Sequence, residues 1–150
     1  MNKNVKNLVR LAVGIVIAIA FLALPTETYE AVKFFDGGYS NELYNHGLYQ
    51  IFAMIVTGVS WAVCIIYYYV IDSVKFDRPQ HWLMMLLVST LASVASCFAY
   101  NQSVFAEYNL SYTEEMVQMA LCHAMFAVIM YVVATFAIRA WSSNCRHSPF

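Results

Sequence analysis

Residues 116–138 read MVQMALCHAMFAVIMYVVATFAI, a run without Asp, Glu, Lys or Arg between Glu115 and Arg139. A helix rises 1.5 Å per residue, so roughly 20 apolar residues cross a hydrocarbon core of about 30 Å. This run is therefore long enough to span a membrane. Working outward from it, three more stretches qualify: about Asn7 to Leu24, about Gly47 to Ile71 and about Trp82 to Tyr100. With the fourth span at 115–139, the sequence predicts an all-α membrane protein, a four-transmembrane-helix bundle in which residues 1–150 form a single integral membrane domain.

The composition agrees. Of 150 residues 61% are hydrophobic and 11% charged, whereas soluble domains carry about a quarter charged and just under half apolar residues. Eight Lys and Arg against nine Asp and Glu leave a net charge of -1, which excludes a nucleic-acid binder working through a broad basic face.

Loop charges predict an orientation. Short cytoplasmic segments retain Lys and Arg. Lys3 and Lys6 precede the first span and Arg10 lies in its first turn, Lys75 and Arg78 sit between the second and third, and Arg139 closes the fourth with Arg146 after it. Lys33 alone falls on the other side, among Glu27, Glu30, Asp36 and Glu42, while Glu107, Glu114 and Glu115 occupy the second loop there. Both termini are expected in the cytoplasm, and the location is expected to be a bacterial cytoplasmic membrane. Ala18-Ile-Ala20 is a small-x-small pair of the kind that closes a cleavable signal. The stretch is nevertheless read as a permanent anchor.

In the first external loop, Thr26, Glu27 and Glu30 favour a helix start and Gly37-Gly38 a left-handed stop. A short interfacial helix is expected from about 27 to 36, with Tyr29, Val32, Phe34 and Phe35 either at the headgroup boundary or covering a partner. Ser111-Tyr-Thr-Glu114 fits a capping box for the fourth helix. Asn101 and Asn109 begin glycosylation sequons but lie too close to the membrane for glycosylation to be the expected reading.

Membrane helices associate through small residues and a few polar contacts. Gly14 and Ala18 on the first helix, Gly58 and Ala62 on the second, Ser89, Ala92, Ser93 and Ser96 on the third (continuing to Ala99), and Ala120, Ala127 and Ala134 on the fourth are the expected packing positions. Two intramembrane polar side chains stand out. His123 shares a side with Ala120, Ala127, Tyr131 and Ala134 and is read as a neutral histidine bonded to a Ser or Tyr, gluing helices together. Trp61 lies mid-helix, and its N–H would find a Ser of the third helix. Tyr67, Tyr68, Tyr69, Trp82 and Trp141 read as boundary anchors.

Most chemistry is excluded by what the spans lack. There is no CxxC, no His/Cys set with metal spacing, no buried acid to orient a histidine, no arginine ladder and no membrane carboxylate. Cys64, Cys97, Cys122 and Cys145 are expected as free buried thiols, although a Cys97–Cys122 disulfide is conceivable. His46 and His123 are the one pair that would serve as axial ligands of a b-type haem. The leading expectation is a non-catalytic small membrane subunit or scaffold within a larger secretion, respiratory or transport assembly. Its partners would be membrane lipid and other integral membrane proteins or copies of itself, with no nucleic acid and no cofactor. The alternatives left open are a homo-oligomeric, holin-like pore lined by Ser89, Ser93 and Ser96, the haem anchor, and a membrane immunity protein.

Overall fold

Asn2 caps the first helix, its side chain accepting from the Asn4 N–H, so α1 (Lys3–Ala23) starts one turn before the expected span. The computed structural model describes residues 2–32 and 36–148, and within them the chain is all-helical, without strands. Pro25 has its φ pre-set for a helical first turn and opens α2 (Pro25–Val32) directly after Leu24. The expected helix thus begins two residues earlier, and Lys33, Phe34 and Phe35 lie outside the described residues.

Gly37-Gly38 do not stop a helix; they begin one. Asp36 caps α3 (Gly37–Asn45), its carboxylate accepting from the Gly38 N–H at 2.9 Å. The left-handed residue that ends α3 is Gly47, at φ 63°, a conformation glycine adopts without a Cβ penalty. Helix α4 (Leu48–Ile65) then runs into a π-helical segment, Ile66–Ile71, which closes at Asp72.

Helix α5 (Pro79–Glu107) continues two turns beyond the apolar run expected to end at Tyr100. The extension holds because Asn101 and Phe105 are buried, Asn101 donating to the Tyr39 hydroxyl and Phe105 packing on the Tyr39 and Tyr112 rings. Asn101 is therefore inaccessible as a glycosylation acceptor, whereas Asn109 takes the exposed left-handed position in the turn to α6, at φ 54°. Helix α6 (Thr113–Ile138) has Tyr112 at its N-cap position and no side-chain cap bond. Ser111 does not form the expected capping box, because the Tyr112 ring, anchored on Tyr39 and Phe105, sets the entry of the chain.

Four helices are long and apolar enough to cross a membrane. They alternate in direction: Gln50 at the start of α4 reaches the Leu22 carbonyl of α1, Ser89 of α5 meets Ser60 of α4, and Trp82 of α5 meets Thr135 of α6. Their arrangement is a flattened rhombus. α4 and α6 touch across the short diagonal, and α1 and α5 flank that pair on opposite sides. Burial follows: 56% of the most apolar stretch of α6 is buried, against 17% for α5 and 22% for α1.

Candidate functional site: contact faces and buried polar side chains

A close helix approach uses the first expected packing pair. A Cβ built on Gly14 would stand 2.5 Å from the Ala137 Cβ, so only a missing side chain lets α1 lie this close to α6. Ala18 is buried one turn further along the same contact. On α6, Ala127 and Ala134 are fully buried and Ala120 is half-buried.

On α4 and α5 the small residues are distributed differently from the expectation. Gly58 and Ala62 face outward, with open space where a Gly58 Cβ would be. The buried row of α4 is Phe52, Val56, Ser60 and Cys64; Gly58 and Ala62 come two residues later, about 200° around the helix. The stripe on α5 divides. Ser89 and Ser93 are buried and continue into Cys97, Asn101 and Phe105, whereas Ala92, Ser96 and Ala99 are exposed, as is Ala95. The contact follows a single i+4 ridge, which drifts about 40° per step around the helix. A seven-residue stripe therefore cannot stay inside, and Ser96 does not share a face with Ser93 within the chain.

The buried polar groups form three levels. At the acidic end, the Tyr49 hydroxyl donates to Glu30 at 2.5 Å and the Ser40 hydroxyl donates to the same oxygen. Just below, Tyr29 is fully buried: its ring contacts Phe126 and Tyr49, and its hydroxyl lies 3.2 Å from His123 Nδ1. Tyr29 is thus a core residue rather than a headgroup contact, because α2 folds down onto the bundle instead of lying beside it. The partner that glues His123 comes from α2, not from another long helix. Midway, Ser60 donates to the Ala127 carbonyl at 3.3 Å and receives Ser89 at 3.5 Å. Among the described residues Trp61 Nε1 is buried without a partner, and so is the Ser93 hydroxyl of α5; the tethered indole is Trp82, which donates to Thr135 at 3.0 Å.

The third level, at the basic end, was invisible in the sequence. Tyr67 and Tyr68 are fully buried rather than boundary anchors. Tyr67 donates to the Phe76 carbonyl at 2.7 Å and Tyr68 to the Ser148 carbonyl at 2.8 Å. Asp72 accepts from the Ser142 hydroxyl at 2.6 Å, the Asn144 N–H at 2.9 Å and the Cys145 N–H at 3.4 Å. Residues 142–148 are thereby folded back over the end of α4. The Ser142 hydroxyl, followed by the backbone N–H of Asn144, holds the Asp72 carboxyl below its ordinary range.

No protein-family model matches the chain, and no curated protein or solved structure matches it.

His46 and His123 are held in different settings. His46 lies on the Tyr108 ring and 3.4 Å from Glu42 at the acidic end. His123 is enclosed by Tyr29 and Phe52, with Nε2 buried and unpartnered. Among the described residues no group of three or more His, Cys, Asp or Glu is placed to hold a metal ion, and all four cysteines are buried free thiols. The Tyr29–His123 pair acts as a structural tie between the α2 cap and α6. Tyr29→Phe is expected to lower stability by about 1 kcal/mol, the usual worth of such a bond. In detergent unfolding titrations the double variant Tyr29→Phe/His123→Leu should lose less than the two single losses combined; strict additivity would show that the pair is not coupled.

Proposed function

We propose that the chain is a non-catalytic integral membrane subunit that packs into, or scaffolds, a larger membrane protein assembly, with both termini in the cytoplasm of a bacterium. The observation that carries this reading is α5. It buries least of its apolar stretch within the chain, yet the residues it turns outward include the small series Ala92, Ala95, Ser96 and Ala99. Lipid tails gain nothing from small side chains, whereas a second helix does, because backbones approach closely across them. Gly58 and Ala62 offer a comparable outward face on α4. A groove of about 560 Å³ between α5 and α6, lined by Leu83, Met84, Leu87 and Val128, is further apolar surface on another side of α5, nearer the basic end.

The orientation rests on charge. Lys3, Arg10 and Arg146 gather at one end of the bundle, where the α4–α5 turn carries Lys75 and Arg78. Basic segments of this kind stay in the cytoplasm.

Gly58→Leu separates intrachain from interchain packing. Nothing lies within 4 Å of a Cβ at Gly58, and leucine is the better helix former by somewhat under about 1 kcal/mol. The variant should therefore be as stable as the parent. Copurification from native membranes under gentle extraction, read by mass spectrometry, should recover a stoichiometric membrane partner with the parent chain and lose it with Gly58→Leu or Ser96→Leu. Recovery of a monomer without partners from native membranes would remove the proposal.

A further inference from the structure

A different face carries a ligand site. Lys3, Asn7 and Arg10 of α1 and Arg146 and His147 of the folded-back tail line one depression of about 220 Å³ at the basic end. Lys3 and Arg10 are seven residues apart and so lie on one side of the helix. Arg146 is steadied by its neighbour, Nε donating to His147 Nε2 at 3.2 Å. Among the described residues no carboxylate lines this depression: of the two acids at this end, Asp72 is occupied by the tail, and Asp77, like Asp72, is not part of the lining. Three cations are thus gathered from two ends of the sequence, with no carboxylate among the described residues of the lining.

The depression does not end at the surface. Arg10 also lines an apolar groove of about 270 Å³ along the α1–α6 seam, with Val9, Val13, Ile17, Val133 and Phe136. The groove lies over the close Gly14–Ala137 crossing, whose two small residues form its floor. From Val9 to Ile17 it covers about 12 Å of helix, close to one leaflet's half of a hydrocarbon core about 30 Å thick. Arg139 stacks over Phe136 of the groove wall at 4.9 Å, and its Nη1 is buried without a partner.

A cationic pocket at headgroup depth that opens into a leaflet-deep apolar groove matches one class of molecule. We propose that the α1–α6 seam binds one anionic phospholipid of the leaflet at the basic end. Its phosphate lies among Lys3, Arg10 and Arg146, and an acyl chain runs between Val13 and Phe136. Basic pockets between membrane helices recognise lipid phosphates in this way. The inference shares with the proposed function only the membrane setting, since the α1–α6 seam is remote in the fold from the outward residues of α4 and α5.

The test uses the full chain in nanodiscs of mixed phosphatidylglycerol and phosphatidylcholine, with retained lipid counted by native mass spectrometry. The parent protein should keep one phosphatidylglycerol in preference to phosphatidylcholine. Each Lys or Arg near an anionic lipid surface is worth about a fivefold factor, so Lys3→Ala/Arg10→Ala/Arg146→Ala should weaken retention by at least about tenfold. Lys75→Ala/Arg78→Ala removes charge from the same end outside the seam and should leave retention unchanged. Val13→Trp keeps every charge, alters an exposed side chain and fills the groove, and it should also lose the lipid. Equal loss in the two charge variants, no preference for phosphatidylglycerol in the parent, retention in Val13→Trp, or displacement of the lipid by inorganic phosphate would each overturn the assignment. A chain that does not enter nanodiscs at all would instead refute the membrane reading itself.

Discussion

Gly14→Ala should destabilise the protein by about 1–3 kcal/mol, the ordinary cost of forcing a methyl group into a filled helix contact, and Gly14→Leu should detach α1 from α6. The reason is the 2.5 Å separation that a Gly14 Cβ would have from the Ala137 Cβ. Neither is the end of a flexible chain, so the axes themselves must move apart. The obstruction is reciprocal, and this provides a control. Ala137→Gly alone should cost about 1 kcal/mol through helix propensity, and combined with Gly14→Ala it should restore most of the lost contact. SDS unfolding titrations in mild detergent would read both effects. Stability of Gly14→Ala equal to the parent would mean that α1 is not held at this crossing. The contrast with Gly58→Leu, expected to be silent for the chain's own fold, makes the two glycines a matched pair: one is required by a helix within the chain and the other is free for a helix outside it.

The second large effect concerns the tail. Removing the Asp72 carboxylate with Asp72→Ala leaves the Ser142 hydroxyl and the Asn144 N–H without their acceptor and releases residues 142–148. Hydrogen bonds to a charged group are worth about 1.5–3 kcal/mol each when sheltered, and solvent reduces that here. Losing about 1.4 kcal/mol of closure is a tenfold change in the open fraction. Cys145 reports it directly: the thiol is fully buried, as are or nearly are the other three cysteines. Maleimide labelling of Cys145 at neutral pH should therefore accelerate about ten- to a hundredfold in Asp72→Ala. An unchanged labelling rate would show that Asp72 does not hold the tail.

Acid should do the same to the parent. The Asp72 carboxyl is depressed in the folded chain. Its contribution is complete above the unfolded value of about 4 and is lost as the pH falls through the lower folded value. Pepsin nicking of the 142–148 segment should accordingly appear in the parent only below about pH 4, and throughout the acidic range in Asp72→Ala.

These expectations show which parts of the molecule could be read along the chain. Spans are written in uncharged runs, and all four coincide with helices; the ends moved where side chains far away in sequence gave the backbone a reason to continue. α5 passes Tyr100 because Asn101 and Phe105 find Tyr39 and Tyr112. Gly37-Gly38 is ambiguous by composition, since glycine serves a helix stop as readily as an open first turn, and the Asp36 cap decided it. Periodicity identified small residues but not their direction. Gly14 and Gly58 look alike in sequence, and only the crossing of α1 over α6 distinguishes them. On α5 alternating spacings of three and four joined Ser89 to Ser96, while an i+4 ridge carries the contact to Asn101. Reading that ridge would have flagged Asn101 as a buried group; nothing local would have flagged Asp72, whose partners lie seventy residues away.

What the sequence determined by itself is little charge, four runs long and apolar enough for a bilayer, and most acids and bases sorted to opposite ends. Those are one-dimensional properties, fixed by transfer free energy along each segment, and they survive any arrangement of the helices. Which faces meet is decided by crossing angle and register, which depend on pairs of surfaces. Only the tertiary structure could therefore place Tyr29 against His123, fold the tail onto Asp72, turn Gly58 and Ser96 outward, and bring Lys3, Arg10 and Arg146 to the mouth of one groove.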